Sequence, residues 1–415
     1  MKPEPWTCSA AASAATRAPR RQGAMRTCTW MTTCGSSCEV FYRSPTPQRD
    51  VRGTGAAPLD EARGKVDVSF DRKGLLRDYR VWPETGLKTL ENVPQLSVRP
   101  TDGEVYLAGM GASSAPGELL KDALRPEGLD IHVVRSHMVP PRLSGQDLLV
   151  AVSLSGNTEE TAYLFDRALD MGCKAVAISS GGYLQTICRR RGADFVTVEG
   201  LATARSSLPS LLARVCQTLD FAKPGYGLTD KLKAAFLSLR PYSSSYSEPG
   251  SSMCEPAEVA LWLHGATQVV AYHSPYAPSV GFRLKNVMSE NAKLWANVSD
   301  IMDVMHDGIT SWEQAFGAKL LLLRDSRDDD VIRTRFDLIG RRVESLGFQV
   351  KDMPPPEGDA LSSLLASFYL LDLSTVYLAL LRRLDPGVTM SQGVIKQELN
   401  RYSSLQRHLR GKYGP

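Results

Sequence analysis

The sequence predicts an α/β protein with two doubly wound parallel sheets, and three features of the chain indicate this. From Val66 onward, strand-like and helix-like segments alternate. Two apolar strands end in turns of small residues that lead into helices, within Val105–Leu124 and Leu149–Met171. The alternation resumes after a segment rich in Gly, Pro and Ser at residues 223–256. Two such halves indicate an internal repeat whose sequences have diverged.

The segment Leu149–Thr161, LVAVSLSGNTEET, is the most informative of these turns. Val150 to Val152 predict a buried strand, and Glu159 to Met171 predict an amphipathic helix. The turn between them contains Ser153, Ser155, Gly156 and Thr158. The N–H groups and dipole at a helix N-terminus attract anions, and hydroxyls can donate to phosphate oxygens. The turn is therefore a candidate phosphate site, with a plain helix cap as the alternative.

A second turn, in Val105–Ser114 (VYLAGMGASS), repeats this plan and precedes the helix-compatible segment Pro116–Leu124. It contains Gly109, Gly111, Ser113 and Ser114. Because the carboxyl ends of adjacent parallel strands line one crevice, two such turns predict a sugar-phosphate site. Neither turn has the spacing of a dinucleotide fingerprint, and no Gly-Lys-Ser/Thr follows, which disfavours nicotinamide and ATP. A monophosphate is the expected anion.

The other elements divide the chain into five regions. Further strands are expected near Leu148, Ala175 and Phe195 and at Gln268–Tyr272, Leu320–Leu323 and Gln349–Lys351, with helices at Ser206–Phe221, Thr229–Leu239 and Phe336–Leu346. We therefore expect an extension over residues 1–64, a first α/β domain over 65–224, a linker with a helix over 225–260, a second α/β domain over 261–357 and C-terminal helices over 358–415.

Residues 1–64 lack a sustained apolar period and are dominated by Ala, Ser, Thr, Arg, Pro and Gly. This composition predicts a disordered extension, such as a misassigned start codon would add, with a transit peptide as the alternative. Four cysteines fall here: Cys8, Cys28, Cys34 and Cys38. Their spacings are not paired C-x-x-C and no histidine lies nearby, which disfavours zinc. The remaining cysteines are scattered singly, as in a protein of the reducing cytosol.

The segment Leu361–Leu381 has the length and apolar character of a membrane span. However, Asp372 lies at its centre and several Ser and Thr residues interrupt it, which favours a helix buried between domains or at a dimer contact. The net charge of +4 over 415 residues is too slight to indicate nucleic acid. A soluble enzyme, with neither a membrane nor a nucleic-acid partner, is the expectation.

These segments together resemble the SIS (sugar isomerase) superfamily, in which the pattern SxSGNTxET binds the substrate phosphate. The similarity continues in order through ARSSLPSLL at 204–212, FRLKNVMSENAK at 282–293, HDGITSW at 306–312 and LLDLSTVYLALLRRLDP at 370–386. This succession resembles one branch, the bifunctional phosphoglucose/phosphomannose isomerases, from Val105 to the C-terminus. It implies two SIS-type, flavodoxin-like domains followed by a C-terminal helical segment.

The resemblance implies an aldose–ketose isomerase that interconverts glucose 6-phosphate and mannose 6-phosphate with fructose 6-phosphate through a cis-enediol(ate). Such a reaction needs a base that moves a proton between C2 and C1, and Glu290 is the candidate. Arg205 would stabilise the enediolate, and His306 would assist ring opening because imidazole titrates near neutrality. The alternatives are a solvated glutamate for Glu290, a structural ion pair for Arg205 and an ordinary surface or core histidine for His306.

For the substrate, the resemblance implies contacts from Gly111, Ser113, Ser153, Ser155 and Thr158, with helix capping as the alternative. It also places Thr389 near C2 and gives Lys396 a part in ring opening. The local sequence TMSQGVIK lacks the usual proline of the family, so a surface lysine on the last helix is the alternative for Lys396. A small residue at Thr389 would allow rotation about C2–C3 and so admit both aldose phosphates.

Relatives in this branch are homodimers whose site borrows the histidine from the partner subunit, which implies the same for this chain. We expect no metal and no cofactor, because Glu290 handles the proton and no ligand cluster has metal spacing. A cytoplasmic location is expected. Another SIS sugar-phosphate isomerase and a non-catalytic sugar-phosphate sensor are the alternatives, and the joint presence of Glu290, Arg205 and His306 favours the enzyme.

Overall fold

The computed structural model describes residues 66–246 and 254–414. The predicted extension and its four cysteines lie outside this part of the chain, so the expectations for them stay predictions. The strands are β1 (Val105–Ala108), β2 (Ile131–Val134), β3 (Leu148–Val152), β4 (Lys174–Ser179), β5 (Asp194–Thr197), β6 (Gln268–His273), β7 (Trp295–Asp300), β8 (Ala318–Leu323) and β9 (Gln349–Met353).

The α-helices cover the strands and extend the chain at its C-terminal end. They are α1 (Leu75–Arg80), α2 (Trp82–Glu91), α3 (Ala115–Leu124), α4 (Glu159–Asp170), α5 (Gly182–Arg191), α6 (Leu208–Ala222), α7 (Leu228–Tyr246), α8 (Glu255–Leu263), α9 (Pro278–Val287), α10 (Ile301–Val304), α11 (Asp330–Ser345), α12 (Ala360–Leu381), α13 (Met390–Tyr402) and α14 (Ser404–Tyr413).

The strands form two fully parallel sheets with the same winding. The first has the order β2-β1-β3-β4-β5, and the second has the order β7-β6-β8-β9. In both, the chain starts at an inner strand, adds one neighbour on one side and then crosses to the other side. This is the doubly wound, flavodoxin-like order. The predicted fold class, with two repeated α/β units and C-terminal helices, is confirmed.

The continuous apolar character of β3 follows from its central position. Leu148, Val150 and Val152 pack into one core cluster, and Leu149 and Ala151 pack into another on the opposite face. Successive side chains of a strand point to opposite faces, and a parallel sheet is covered by helices on both. A strand in this position must therefore be apolar throughout rather than alternating.

Two strands, β2 and β7, were not predicted, and both lie at a sheet edge. The residues of β2 after Ile131 are only partly buried, and β7 has no fully buried residue. An edge strand has one hydrogen-bonded neighbour and less covering structure, so it needs fewer apolar side chains. The weak apolar signal in both segments follows from this exposure.

The segment expected as a linker with a helix, 225–260, contains helix α7 and much of α8. Helix α7 is longer than the predicted Thr229–Leu239 and continues through Pro241. Its Leu232, Phe236 and Leu239 are buried in the main core. Tertiary packing along this face outweighs the backbone hydrogen bond that proline removes.

Helix α12 is the central packing element. It is long and apolar enough to cross a membrane, but 89% of its most apolar window is buried inside the described structure, as predicted for a core helix. It contacts α3 from the first α/β unit and α9 from the second, as well as α7 and α8. Helix α12 therefore joins the two units.

The last two helices return to the first sheet. On α14, Lys412 and Tyr413 donate to the fully buried carboxylate of Asp166 on α4, and Arg191 donates to the same carboxylate at 2.9 Å. Helix α13 connects α12 to this anchored helix and has no buried residue. Lys396 lies on α13 and not on the last helix, which corrects the expected position.

Candidate active site

The first predicted turn lies at the carboxyl end of β3, as expected. The hydroxyls of Ser153 and Thr158 are 3.0 Å apart, and Ser153 is buried. The Ser155 hydroxyl is exposed and accepts from the N–H of Asn157 at 3.2 Å. Gly156 has φ +68°, and a Cβ there would lie 1.8 Å from the carbonyl oxygen of Gly181. Only glycine permits this turn to pack so closely on its neighbour.

The second predicted turn lies beside the first, because β1 and β3 are adjacent in the sheet. A Cβ at Gly109 would lie 3.0 Å from the carbonyl oxygen of Val152 at the end of β3. Gly111, with φ +55°, faces open space, whereas Ser113 behind it is buried. The structure thus brings the two turns together at one edge of the first sheet, where small residues leave room for an anion.

Arg205 connects this edge of the first sheet to the second α/β unit. It lies in the loop between β5 and α6, and only 4% of its surface is exposed. Its guanidinium donates to Glu290 Oε2 at 2.9 Å, to Asn291 Oδ1 at 2.5 Å and to the carbonyl oxygen of Pro386. Two of the predicted catalytic residues, Arg205 and Glu290, are therefore in direct contact.

Glu290 lies in a single π-helical turn, Met288–Ala292, that ends helix α9 just before β7. Such turns are rare and occur frequently at functional sites. Lys293, the residue directly after this turn, has a left-handed backbone with φ +53°. Partial burial and the charge of Arg205 lower the pKa of Lys293 to about 8.

A buried polar network supports Arg205 from behind. Arg283 donates to the carbonyl oxygen of Arg205 at 2.8 Å and, through Nε, to Asp372 Oδ1 at 2.9 Å. The Tyr79 hydroxyl donates to Asp372 Oδ2 at 2.8 Å, and burial raises the pKa of this phenol well above its usual value. Asn291 accepts a hydrogen bond from Arg205 Nε and donates one to Thr375 Oγ1 at 2.9 Å. These contacts fix the backbone and side chain of Arg205.

Sequence reasoning did not assign a site role to this network. The isolated carboxylate Asp372 in an apolar helix was a usable signal, because a buried charge requires a partner. In the sequence, this carboxylate indicates only that the helix is buried in protein and does not span a membrane. Asn291 and Lys293 stood within the quoted motif but received no role, because their contacts depend on chain segments far away in sequence.

His306 is not brought to Glu290 within one chain. It is exposed and follows α10 after the carboxyl end of β7, whereas Glu290 precedes the amino end of the same strand. A six-residue strand such as β7 spans about 16 Å. The two side chains therefore lie at opposite ends of the second sheet. Trp312, quoted in the same motif, is a core residue whose indole donates to Tyr272 Oη at 2.7 Å.

Thr389 and Lys396 are not bonded to Arg205 or Glu290 in the described part of the chain. Thr389 is half-buried immediately before α13, and Lys396 is exposed on that helix. Helix α13 nevertheless runs between two site elements. Pro386, three residues before Thr389, contacts Arg205, and Ser403, directly after the helix, donates to Glu159 Oε1 at 2.8 Å at the start of α4. Lys396 thus lies on the segment between the contact with Arg205 and the contact with the helix that follows the first turn.

Within residues 66–246 and 254–414, no group of three or more His, Cys, Asp or Glu side chains is arranged to hold a metal ion. The charged groups at this contact are the carboxylate of Glu290 and two cations, Arg205 and Lys293. Such an arrangement suits proton transfer next to a developing anion.

The chain is similar to one family model and to several known proteins. Residues 254–399 match the model of the bacterial phospho-glucose isomerase C-terminal SIS domain. A bifunctional phosphoglucose/phosphomannose isomerase of Aquifex aeolicus is 28% identical over 312 residues, which cover 73% of this chain and 92% of that protein. The enzyme of the same name from Thermoplasma acidophilum is 26% identical over 320 residues, 75% of this chain and 96% of that one.

A relative with a different name is also similar. The D-glucosamine-6-phosphate 4-epimerase of Sulfolobus acidocaldarius is 26% identical over 284 residues, which cover 67% of this chain and 83% of that protein. Among solved structures, the C-terminal domain of the glucosamine-fructose-6-phosphate aminotransferase from Francisella tularensis superposes with a TM-score of 0.57 at 11% identity, covering 74% of this chain and 96% of that one. This structural likeness supports the fold.

Proposed function

We propose that this chain, which belongs to the SIS family of sugar-phosphate isomerases, interconverts fructose 6-phosphate with glucose 6-phosphate and mannose 6-phosphate. The observation that carries this proposal is the contact between Arg205 and Glu290 across the two α/β units. In this contact the carboxylate of Glu290, the proposed base, lies beside the buried guanidinium of Arg205. The names of the similar curated proteins support the choice of substrates.

In the proposed reaction, Glu290 removes the proton from C2 of the open-chain aldose phosphate and returns a proton to C1. The C2 hydroxyl becomes the carbonyl of the ketose, and the original carbonyl becomes the C1 hydroxyl, so no redox partner is needed. Negative charge develops on the enediolate oxygens between the two transfers. Three of the five N–H groups of Arg205 donate to Glu290, Asn291 and the Pro386 carbonyl, and the remaining two can stabilise that charge.

The two turns of small residues would bind the phosphate. Ser153, Ser155 and Thr158 at the end of β3, with Gly111 and Ser113 at the end of β1, offer hydroxyls and backbone N–H groups to three phosphate oxygens. Holding the phosphate fixes the distance from C1 and C2 to Glu290, and such positioning accounts for much of the rate of an enzyme. We infer no cofactor for this chemistry.

His306 and Lys396 would open the sugar ring. Because β7 separates His306 from Glu290 by about 16 Å in one chain, we infer that each site receives His306 from a partner subunit. Helix α13 supports a homodimer, since five large apolar side chains on it are exposed: Met390, Val394, Ile395, Leu399 and Tyr402. A second copy that covers them would remove this apolar surface from water.

We further propose that Thr389 leaves room for rotation about C2–C3, so that either face of the enediolate can be protonated. This rotation would yield both aldose phosphates. We propose a cytoplasmic enzyme of glycolysis and gluconeogenesis. The four described cysteines, Cys173, Cys188, Cys216 and Cys254, are free thiols, as in proteins of a reducing compartment.

The test is to incubate the purified protein with fructose 6-phosphate in the presence of EDTA and to quantify both aldose phosphates separately. We expect both from the wild type, neither from Glu290→Gln, and both from Glu344→Gln, which alters an exposed carboxylate on α11. Glucose 6-phosphate alone would contradict the role of Thr389. Binding without turnover would favour the sensor, and conversion of glucosamine 6-phosphate at C4 alone would favour the epimerase reaction.

A further inference from the structure

Lys293 makes an unusual set of contacts directly after the turn that carries Glu290. Its ammonium donates to the carbonyl oxygens of Glu290 at 2.8 Å, of Asn291 at 3.1 Å and of Asp385 at 2.8 Å. A lysine ammonium has three N–H donors and no acceptor. Each of the three N–H groups of Lys293 therefore has a carbonyl partner, and two of these carbonyls belong to the π-helical turn itself.

The third carbonyl links this turn to the C-terminal segment. Asp385 immediately precedes Pro386, whose carbonyl oxygen accepts from Arg205. Lys293 and Arg205 thus bond to consecutive carbonyls of one short segment, and both also contact the turn of Glu290. The segment continues through Thr389 into helix α13. Lys293 and Arg205 therefore link the turn that carries Glu290 to the segment that leads to Thr389 and Lys396.

The backbone at this junction is strained. Among the described residues, Lys293 and Arg383 are the non-glycine residues with positive φ, at +53° and +54°. A left-handed backbone is unfavourable for a residue with a side chain, because Cβ comes close to the following carbonyl oxygen. Arg383 lies two residues before Asp385, so both strained residues flank the same contact. Such conformations persist where the surrounding bonds hold them, and they cluster at functional sites.

We propose that Lys293 is a positioning residue for the proton shuttle, which holds the π-helical turn so that the Glu290 carboxylate faces C1 and C2. Lys293 does not itself move a proton, because its three N–H groups are bonded to backbone carbonyls. This inference rests on the proposed function. In this proposal Lys293 acts by holding the backbone of Glu290, and it does not contact the substrate.

The experiment compares Lys293→Met with a matched control, Lys319→Met. Lys319 is also partly buried and donates to two backbone carbonyls, of Trp262 and His264, but it lies at the start of β8 outside the site. Because a small misplacement of a catalytic group can cost about 100-fold in rate, we expect kcat of Lys293→Met to fall roughly 30- to 100-fold with KM within about threefold. Lys319→Met should keep kcat, and Lys293→Arg should recover part of the loss.

Amide hydrogen exchange gives a readout that is independent of turnover. Lys293→Met should increase exchange in peptides that cover 288–293 and 383–387, whereas Lys319→Met should leave these peptides unchanged. Unaltered exchange there, or a kcat equal to that of Lys319→Met, would overturn the positioning role. A wild-type protein that does not isomerise fructose 6-phosphate would instead overturn the proposed function, and the exchange result would still test the role of Lys293.

Discussion

Replacing Asp372 by Leu removes the acceptor on which the fully buried Arg283 and Tyr79 both depend. Breaking a buried ion pair from one side costs about 3–5 kcal/mol, because a charge is left without a partner. The orphaned Tyr79 hydroxyl adds about 1–3 kcal/mol. We therefore expect Asp372→Leu to lower the free energy of unfolding by roughly 4–8 kcal/mol in urea denaturation.

The double variant Arg283→Met/Asp372→Leu removes the unpaired charge as well. Replacing both partners of a buried pair by apolar groups is often neutral, so only the cost of Tyr79 should remain, about 1–3 kcal/mol. The double-mutant cycle should then show a coupling of at least about 2 kcal/mol between the two residues. Activity should not recover with stability, because the carbonyl oxygen of Arg205 loses its donor. A coupling energy near zero would refute this reasoning.

Three further predictions concern the turn, the pH dependence and the shared site. Gly156→Ala should raise KM at least about tenfold because its Cβ would lie 1.8 Å from the Gly181 carbonyl oxygen, whereas Gly192→Ala, with the same φ of +68° and open space around it, should change only stability. The pKa of Lys293 is about 8 in the folded protein against 10.5 for a free lysine, since burial and Arg205 lower it while Asp385 and Glu290 oppose them. Between pH 8 and 10.5 the unfolded chain binds more protons at Lys293 than the folded protein does. This group should therefore make the free energy of unfolding rise over that pH range, and the rise should be absent from denaturation curves of Lys293→Met. Glu290→Gln and His306→Asn subunits should each be inactive alone, but should regain about a quarter of wild-type activity when they are mixed and refolded together. Half of the resulting dimers contain one subunit of each kind, and one of the two sites in such a dimer has both Glu290 and His306. The absence of any recovery would contradict a shared site.

Much of the fold could be predicted because the central strands and helix α12 follow simple rules. A strand covered on both faces is apolar throughout, as in β3, and the small residues after it mark the turn. The features that the sequence did not reveal are two edge strands and the full length of α7, whose stability depends on neighbouring elements. The edge strands β2 and β7 have weak apolar patterns, and α7 runs through Pro241 because its apolar face is buried against the core.

The candidate site was predictable as a set of residue types but not as a network. The turns around Gly156 and Gly111 were found from local sequence, because their backbone and hydroxyls act locally. The contact between Arg205 and Glu290 joins residues 85 positions apart, and only the family resemblance linked them in advance. The three bonds of Lys293 and the support of Arg205 by Arg283 depend on tertiary packing that no local pattern encodes.

The most direct test of the central claim is to convert fructose 6-phosphate in D2O and to read deuterium at C2 of the aldose phosphates by NMR. If Glu290 moves the proton as a base, part of it exchanges with solvent, so glucose 6-phosphate and mannose 6-phosphate should both carry deuterium at C2. Glu344→Gln should give the same products, and Glu290→Gln should give none. Products without any deuterium at C2, or turnover by Glu290→Gln at the wild-type rate, would contradict the account.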